Sequence, residues 1–341
     1  MRIALIGYGV VARNFHEIIE EKKDEIKKRY GIVPKIVAIC DRGGYVHSRR
    51  GLSYEKLVKV KEETGTVASY EGGIRGARGI DMIDEVEAEV LVEASVANFE
   101  NGQPALDHII RAFERRMHVI TCNKPPLALA MPSLIEMAWH YGVEFLYSGT
   151  VGGGTPFLSF TSRALRGNNV KSIRGILNGT SNYVLTQMLE RNLSLEEALE
   201  EARRLGYAEE DPTLDIGGFD AAAKLVILMN HAMGERVTIR DIKISGIEHV
   251  TLDMVKESLK RGRVIKLIAR SSPKPQVSAE EIDVNEPLNV GGTLNAVSFD
   301  VEGLGEVVLI GRGAGGRETA CSILRDLVEL KDRLSLKGLW T

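Results

Sequence analysis

The chain has 341 residues, 44% hydrophobic and 27% charged, with 44 basic against 47 acidic side chains and a formal net charge of −3. That balance provides no positive field for a polyanion, which disfavours nucleic-acid binding, and no apolar run approaches the roughly 20 residues of a membrane span. The 35 glycines exceed the roughly 24 of average usage without a Gly-X-Y period, so they mark unusual dihedrals or close approaches in a globular chain of about two domains.

Arg2–Ile6 reads as a short apolar strand rather than a secretory signal core, because two glycines and a charged helix follow at once. Gly7-Tyr8-Gly9-Val10-Val11-Ala12 then has the G-x-G-x-x-(G/A) spacing in its required strand-to-helix context. Gly7 permits the tight turn, Gly9 lets the backbone approach a pyrophosphate, and the first helical N–H groups, at Val10 and Val11, favour phosphate. The bland alternative is a structural turn without a ligand. Val10–Arg29 is an amphipathic helix with Val11, Phe15, Ile18, Ile19 and Ile26 on one face.

Lys35–Cys40 is a second strand. Asp41 ends it, where a carboxylate would accept from the ribose hydroxyls of NAD, but Arg42 follows and a guanidinium there would hold the 2′-phosphate of NADP. A solvated turn over Asp41–Gly44 is the third reading. Tyr70–Ile80 is a Gly/Arg loop. Glu89–Ala94 reads as a strand, Gln103–Arg116 as a helix, His118–Thr121 as a strand, Pro132–Tyr141 as a helix and Val143–Tyr147 as a strand. This alternation predicts a parallel sheet with helices on both faces. Ligands bind at the carboxyl ends of such strands, so Asn123 and Lys124, just past Thr121, would face a nicotinamide. A surface lysine is the alternative for Lys124. Cys122 is either an aldehyde-attacking nucleophile or a small hydrophobe at a strand end.

The pattern changes after Pro156. Ser194-x-x-Glu197 is a capping box that starts a helix, and Gly206 ends it. Tyr207 to Asp215 (YAEEDPTLD) gathers four carboxylates and a tyrosine, suited to an ammonium-bearing substrate or to a solvated acidic loop. Phe219–Met233 is apolar almost all round, as a buried helix would be, yet carries Asp220 and Lys224 four apart on one face. A buried lysine must be paired, and burial lowers its pKa toward the range useful in proton transfer. A simple buried ion pair remains the alternative. Val264–Ala269 and Val297–Ile310 alternate like antiparallel strands, and Thr319–Leu334 closes as a helix after a glycine-rich turn containing Gly313, Gly315 and Gly316. Cys40, Cys122 and Cys321 are odd in number and far apart, which favours a reducing cytoplasm over a disulfide framework. The seven histidines show no transition-metal spacing.

Taken together, Gly7–Ala12 (GYGVVA), Asn123-Lys124, 150–156 (TVGGGTP), 176–183 (ILNGTSNY), 206–215 (GYAEEDPTLD), 218–224 (GFDAAAK) and 311–320 (GRGAGGRETA) resemble homoserine dehydrogenase over nearly the whole chain. The resemblance implies an α/β fold: a Rossmann-type doubly wound parallel sheet plus an α+β catalytic and dimerisation region with a mixed sheet. The dinucleotide-binding domain would span 1–148, completed by a C-terminal helix at 316–341. A dimerisation region would comprise 149–158 and 253–315, and a substrate domain 159–252. It further implies interconversion of L-homoserine and L-aspartate 4-semialdehyde with NAD(P), at the branch toward threonine, isoleucine and methionine. The compact length is similar to the form without a fused aspartate kinase or regulatory domain.

Residue by residue, the resemblance makes Lys224 and Lys124 the proton-handling lysines, with Asp220 orienting Lys224. Glu209 and Asp215 would bind the substrate's ammonium and hydroxyl groups, and Gly179, Thr180 and Tyr207 would complete the pocket. Gly313, Gly315 and Gly316 would approach the cofactor. Many members hold a sodium ion with a glutamate three residues before the valine of T-V-G-x-G. Here that position is Ser148, so a Na+ site near Val151 and Gly153 would rest on carbonyls and water. A homodimer is expected, because the strand-rich segment after Val264 alternates in a way a small domain could not bury alone. Two rival readings are a phosphorylating aspartate-semialdehyde dehydrogenase using Cys122 and a non-catalytic NAD(P)-binding regulator, which gives no reason for Asp220 and Lys224.

Overall fold

A computed structural model describes residues 1–338. Residues 339–341 of the expected C-terminal segment lie outside the described residues. The chain separates into two compact units, one formed by Met1–Thr150 with Gly315–Thr341 and the other by Val151–Ala314.

The first unit contains strands β1 (Arg2–Ile6), β2 (Lys35–Asp41), β3 (Gly44–His47), β4 (Ile74–Arg75), β5 (Val90–Glu93), β6 (His118–Thr121) and β7 (Phe145–Leu146), in the order β4-β3-β2-β1-β5-β6-β7. The five adjacent strands β2, β1, β5, β6 and β7 run parallel, while β3 and β4 extend the β2 edge antiparallel. The near-continuous apolar runs of β1, β2 and β5 are what a sheet covered on both faces requires. Helix Val10–Tyr30 buries Phe15, Ile18, Ile19 and Ile26, and Gly31 ends it in the left-handed region. Helix Gly316–Leu336 adds Ile323, Leu327, Leu330 and Leu334 to the same core. Asp326 is buried on that helix and accepts the Ser148 N–H at 2.8 Å.

Two elements differ from expectation. The helix expected from Pro132 begins at Lys124, with Pro125 and Pro126 in its first turn, where no N–H is needed. It carries a kink at Ala130, two residues before Pro132. The Gly/Arg loop holds the short strand β4 and the start of helix Gly79–Glu85.

The second unit has strands β8 (Val170–Ile176), β9 (Lys243–Ile244), β10 (Arg263–Arg270), β11 (Gln276–Asp283), β12 (Leu294–Val301) and β13 (Gly305–Arg312), in the order β13-β12-β8-β10-β11-β9. β8 lies between β12 and β10 and pairs antiparallel with both, so the sheet shows no division at residue 253. The alternating stretch Val297–Ile310 falls in the antiparallel hairpin β12–β13. The helix Phe219–Leu228 is buried from Asp220 onward, while Phe219 is exposed, and the chain continues in a wider π turn over Met229–Met233. Behind helix Gly179–Arg191, the buried Lys266 ammonium of β10 donates to Asn182 Oδ1 at 2.9 Å and Val290 O at 2.8 Å. Burial pushes that lysine down to about 8.

Candidate active site

In the first unit the fingerprint turn joins β1 to helix Val10–Tyr30, with Gly9 as the N-cap. Gly7 has φ +87°, and a Cβ there would collide with the carbonyl of Ala94 just past β5. Gly9 has nothing within 4 Å of a would-be Cβ, so the turn leaves open the space a pyrophosphate needs, and Val10 beside it is exposed. Tyr8 points inward. Its hydroxyl donates to His16 Nδ1 at 3.0 Å, and His16 Nε2 faces Leu52 O at 3.2 Å, which fixes a neutral ring protonated on Nε2.

Burial holds His16 down to about 4, against an ordinary value of 6.5. The unfolded chain therefore takes up a proton below 6.5 that the folded ring refuses until about 4. Stability contributed by neutral His16 is complete above 6.5 and lost as pH falls. We expect a loss of about 2 kcal/mol between pH 7 and pH 5 and about 3 kcal/mol by pH 4. Urea unfolding of wild type and His16→Gln at both ends checks this, and an equal acid loss in the variant would remove His16 as its source.

The Asp41 carboxylate is fully engaged. Oδ1 accepts from Gly43 N and Thr66 Oγ1 at 2.9 and 2.7 Å, and Oδ2 accepts from Val67 N and Lys61 Nζ at 2.9 and 2.5 Å. Asp41 thus ties together the turn that carries the exposed Arg42, and a bond to ribose would displace one of these donors. Asn123 lies at the carboxyl end of β6 and donates through Nδ2 to Ser95 O at 3.1 Å, while its buried Oδ1 has no hydrogen-bond partner. Glu93 at the end of β5 accepts from Ser95 and leaves Oε2 unpartnered, with His108 Nδ1 3.5 Å from its other oxygen. Two orphaned acceptors at adjacent strand ends and an open glycine turn fit a bound dinucleotide. Lys124, half-buried, starts the next helix. Burial pushes the Cys122 thiol up to about 12, so it supplies no thiolate near neutral pH.

Gly315 and Gly316 belong to this unit. A Cβ on Gly315 would meet the Glu318 carboxylate, and one on Gly316 would meet Val10, so Gly316 lets its helix close on the start of helix Val10–Tyr30. Gly313 lies in the second unit, where a Cβ would overlap the side-chain amide of Asn295.

In the second unit Lys224 is 6% exposed, with Nζ 2.7 Å from Asp220 Oδ2 and 2.7 Å from Leu177 O. Asn178, the N-cap of helix Gly179–Arg191, donates from Nδ2 to Asp220 Oδ2 at 2.9 Å and to Asp215 Oδ1 at 2.6 Å. Burial first, and Asp220 second, push Asp215 above the usual carboxylate range. Thr180 Oγ1 donates to Tyr207 O at 2.7 Å, and Gly179 must lack a side chain because Thr293 O would stand 2.9 Å from its Cβ. The residues 178–180, 207, 215, 220 and 224 thus come together, whereas Glu209 stays exposed on the loop after Tyr207. Asn178 was not singled out above; its one local signal, an Asn before a helix start, reads simply as a cap.

Val151 and Gly153 sit in a buried turn whose Gly153 packs on Ala314. No group of three His, Cys, Asp or Glu side chains able to hold a metal occurs among the described residues.

A family model described as homoserine dehydrogenase matches residues 156–328, just over half of the chain. The chain belongs to the homoserine dehydrogenase family. A second model, for glutamate/leucine/phenylalanine/valine dehydrogenases, matches residues 1–109. A homoserine dehydrogenase of Methanocaldococcus jannaschii is 44% identical over 97% of this chain and 98% of its own length. An NAD(+)-dependent homoserine dehydrogenase of Pseudomonas canavaninivorans is 36% identical over 98% and 97%. The solved structure of a hyperthermophilic archaeal homoserine dehydrogenase in complex with NADPH has a TM-score of 0.83 at 30% identity, over 97% of this chain and 98% of that one. This member of the homoserine dehydrogenase family is therefore an NAD(P)-linked oxidoreductase with the expected α/β fold, and neither rival reading finds support.

Proposed function

We propose that the chain oxidises L-homoserine to L-aspartate 4-semialdehyde and catalyses the reverse reaction, in the biosynthesis of threonine, isoleucine and methionine. The observation that carries this is the hydrogen-bonded chain from half-buried Asp215 through buried Asn178 and Asp220 to Lys224, an acid–base array in an otherwise apolar helix neighbourhood. When bound, NAD(P) accepts the hydride from the carbinol carbon. Lys224, with Lys124, handles the hydroxyl proton, and Asp220 keeps Lys224 oriented. Asp215 and Glu209 hold the substrate's ammonium and hydroxyl groups, and Gly179, Thr180 and Tyr207 shape the pocket. Gly7, Gly9, Val10 and Val11 bind the pyrophosphate, Asn123 faces the nicotinamide, and Arg42 meets the adenosine end. Gly313, Gly315 and Gly316 serve the cofactor through the close packing described above. A low-dielectric pocket strengthens a lysine's hold on the developing alkoxide.

Homoserine-dependent absorbance at 340 nm, followed with NAD+ and NADP+ side by side, tests the reading. Growth of signal with either cofactor is expected, and its absence with both would overturn the proposal. We infer a homodimer, supported by the place of β13 at the end of its sheet, with Ile310 exposed on that strand and Leu304 exposed in the turn before it; a monomer in light scattering would contradict it. A reducing cytoplasm as its setting is supported by three free cysteines.

A further inference from the structure

We propose that Asn178 is a positioning residue that keeps Asp215 and Asp220 ionised side by side, and so keeps the substrate's ammonium site charged. The inference rests on the function proposed above. The amide can face only one way. Its Oδ1 accepts the Ser181 N–H at 2.8 Å, the helix N-cap bond. Its Nδ2 donates to Asp215 Oδ1 at 2.6 Å and Asp220 Oδ2 at 2.9 Å. Turned over, the amide would set an oxygen against two carboxylates and an NH2 against an N–H, so the cap bond locks the donor end onto the acids.

The charge balance shows why such a donor matters. Two carboxylates, the half-buried Asp215 and the buried Asp220, lie beside the buried ammonium of Lys224, which is 2.7 Å from Asp220 Oδ2. The charged groups facing Asp215 are Asp220 and Lys224 from the helix Phe219–Leu228, and Asn178 and Thr180 reach it from the start of helix Gly179–Arg191. Tyr207, from the loop before it, meets this cluster through its carbonyl. Asn178 is thus the neutral group bonded to both acids at once. Without its two donors, like charge and burial raise the proton affinity of the pair, which titrates as a unit. A protonated Asp215 cannot hold an ammonium group, so the loss appears in KM at low pH before it appears in kcat.

Asn178→Ser and Asn178→Asp test this, because both replacements still cap a helix while neither offers an NH2. The expected result is melting close to wild type for the Ser variant and a lower melting point for the Asp variant, with the acid limb of kcat/KM displaced upward in both by about one pH unit or more. The displacement is larger for the Asp variant, which adds a third negative charge. At pH 7, kcat/KM should fall about tenfold or more and recover toward pH 9, with the change carried mostly by KM. Acid limbs that coincide with wild type in both variants would overturn the inference, and so would a uniform loss without a pH displacement, which is what a structural cap alone predicts. Wild type inactive on homoserine would instead be a failure of the proposed function.

Discussion

Lys224→Ala lowers homoserine turnover by about 10²- to 10⁴-fold, the range a single general acid–base group supplies, and leaves NAD(P)H binding intact. Lys224 belongs to the unit Val151–Ala314, whereas the fingerprint turn belongs to the other, so a fluorescence titration with NADPH isolates the two effects. Stability changes as well. Lys224 is 6% exposed and is bonded to Asp220 and to Leu177 O. Removing it leaves the buried Asp220 carboxylate without the Lys224 ammonium, a change that costs on the order of 3–5 kcal/mol when one partner of a buried pair is lost. The double variant Asp220→Asn/Lys224→Ala should recover much of that stability and none of the activity. Near-normal turnover in Lys224→Ala would remove the lysine from the chemistry. Inactivity of the single variant, accompanied by full recovery in the double one, would show that misfolding caused the loss.

Gly7→Ala and Gly9→Ala should fail in different ways, although both glycines belong to one motif. At Gly7 a side chain must adopt φ +87° and collide with the Ala94 carbonyl. That carbonyl lies where β1 meets β5, next to the 2.8 Å bond from Ala94 N to Ile6 O. The left-handed conformation alone costs about 1–2 kcal/mol, and the collision with backbone brings the total to several kcal/mol. Gly9 has an ordinary negative φ of −89° and open space around a Cβ. Gly9→Ala should keep its melting temperature within a few degrees and raise the NAD(P)H Kd about tenfold or more, because the methyl group occupies the pyrophosphate's space. Unchanged affinity in Gly9→Ala would mean that the turn does not hold the cofactor; an unshifted melting point in Gly7→Ala would refute the packing argument.

Local periodicity made much of the first unit legible. The 3.6-residue repeat of Val10–Arg29 and the short apolar runs at 2–6, 35–40 and 118–121 correspond to observed elements. The helix at Lys124 was hidden by Pro125 and Pro126, which read as breakers until their first-turn position is known. β8 was missed because Val170–Ile176 carries Lys171, Ser172 and Arg174, and it is a strand through its neighbours on both sides rather than through its own pattern. Asp220 and Lys224 stood out because they interrupt an apolar helix. Asn178 did not, since its partners Asp215 and Asp220 are 37 and 42 residues away and only the fold reveals them. Asp41 shows the converse: its place at the end of β2 was plain, but the four donors that occupy it come from 43, 61, 66 and 67.

The return of the chain to its first unit has a consequence for how the molecule is made. Ala320, Ile323, Leu327, Leu330 and Leu334 fill the same core as Ile3, Leu5, Phe15 and Ile18. On the ribosome, the amino-terminal half therefore waits, with part of its apolar surface open, until the whole intervening unit has been synthesised. That intervening unit is continuous from Val151 to Ala314, so all of its own strands are made before residue 315. The order of completion thus inverts the order of translation. Chaperone protection is needed most by the nascent segment that emerges first.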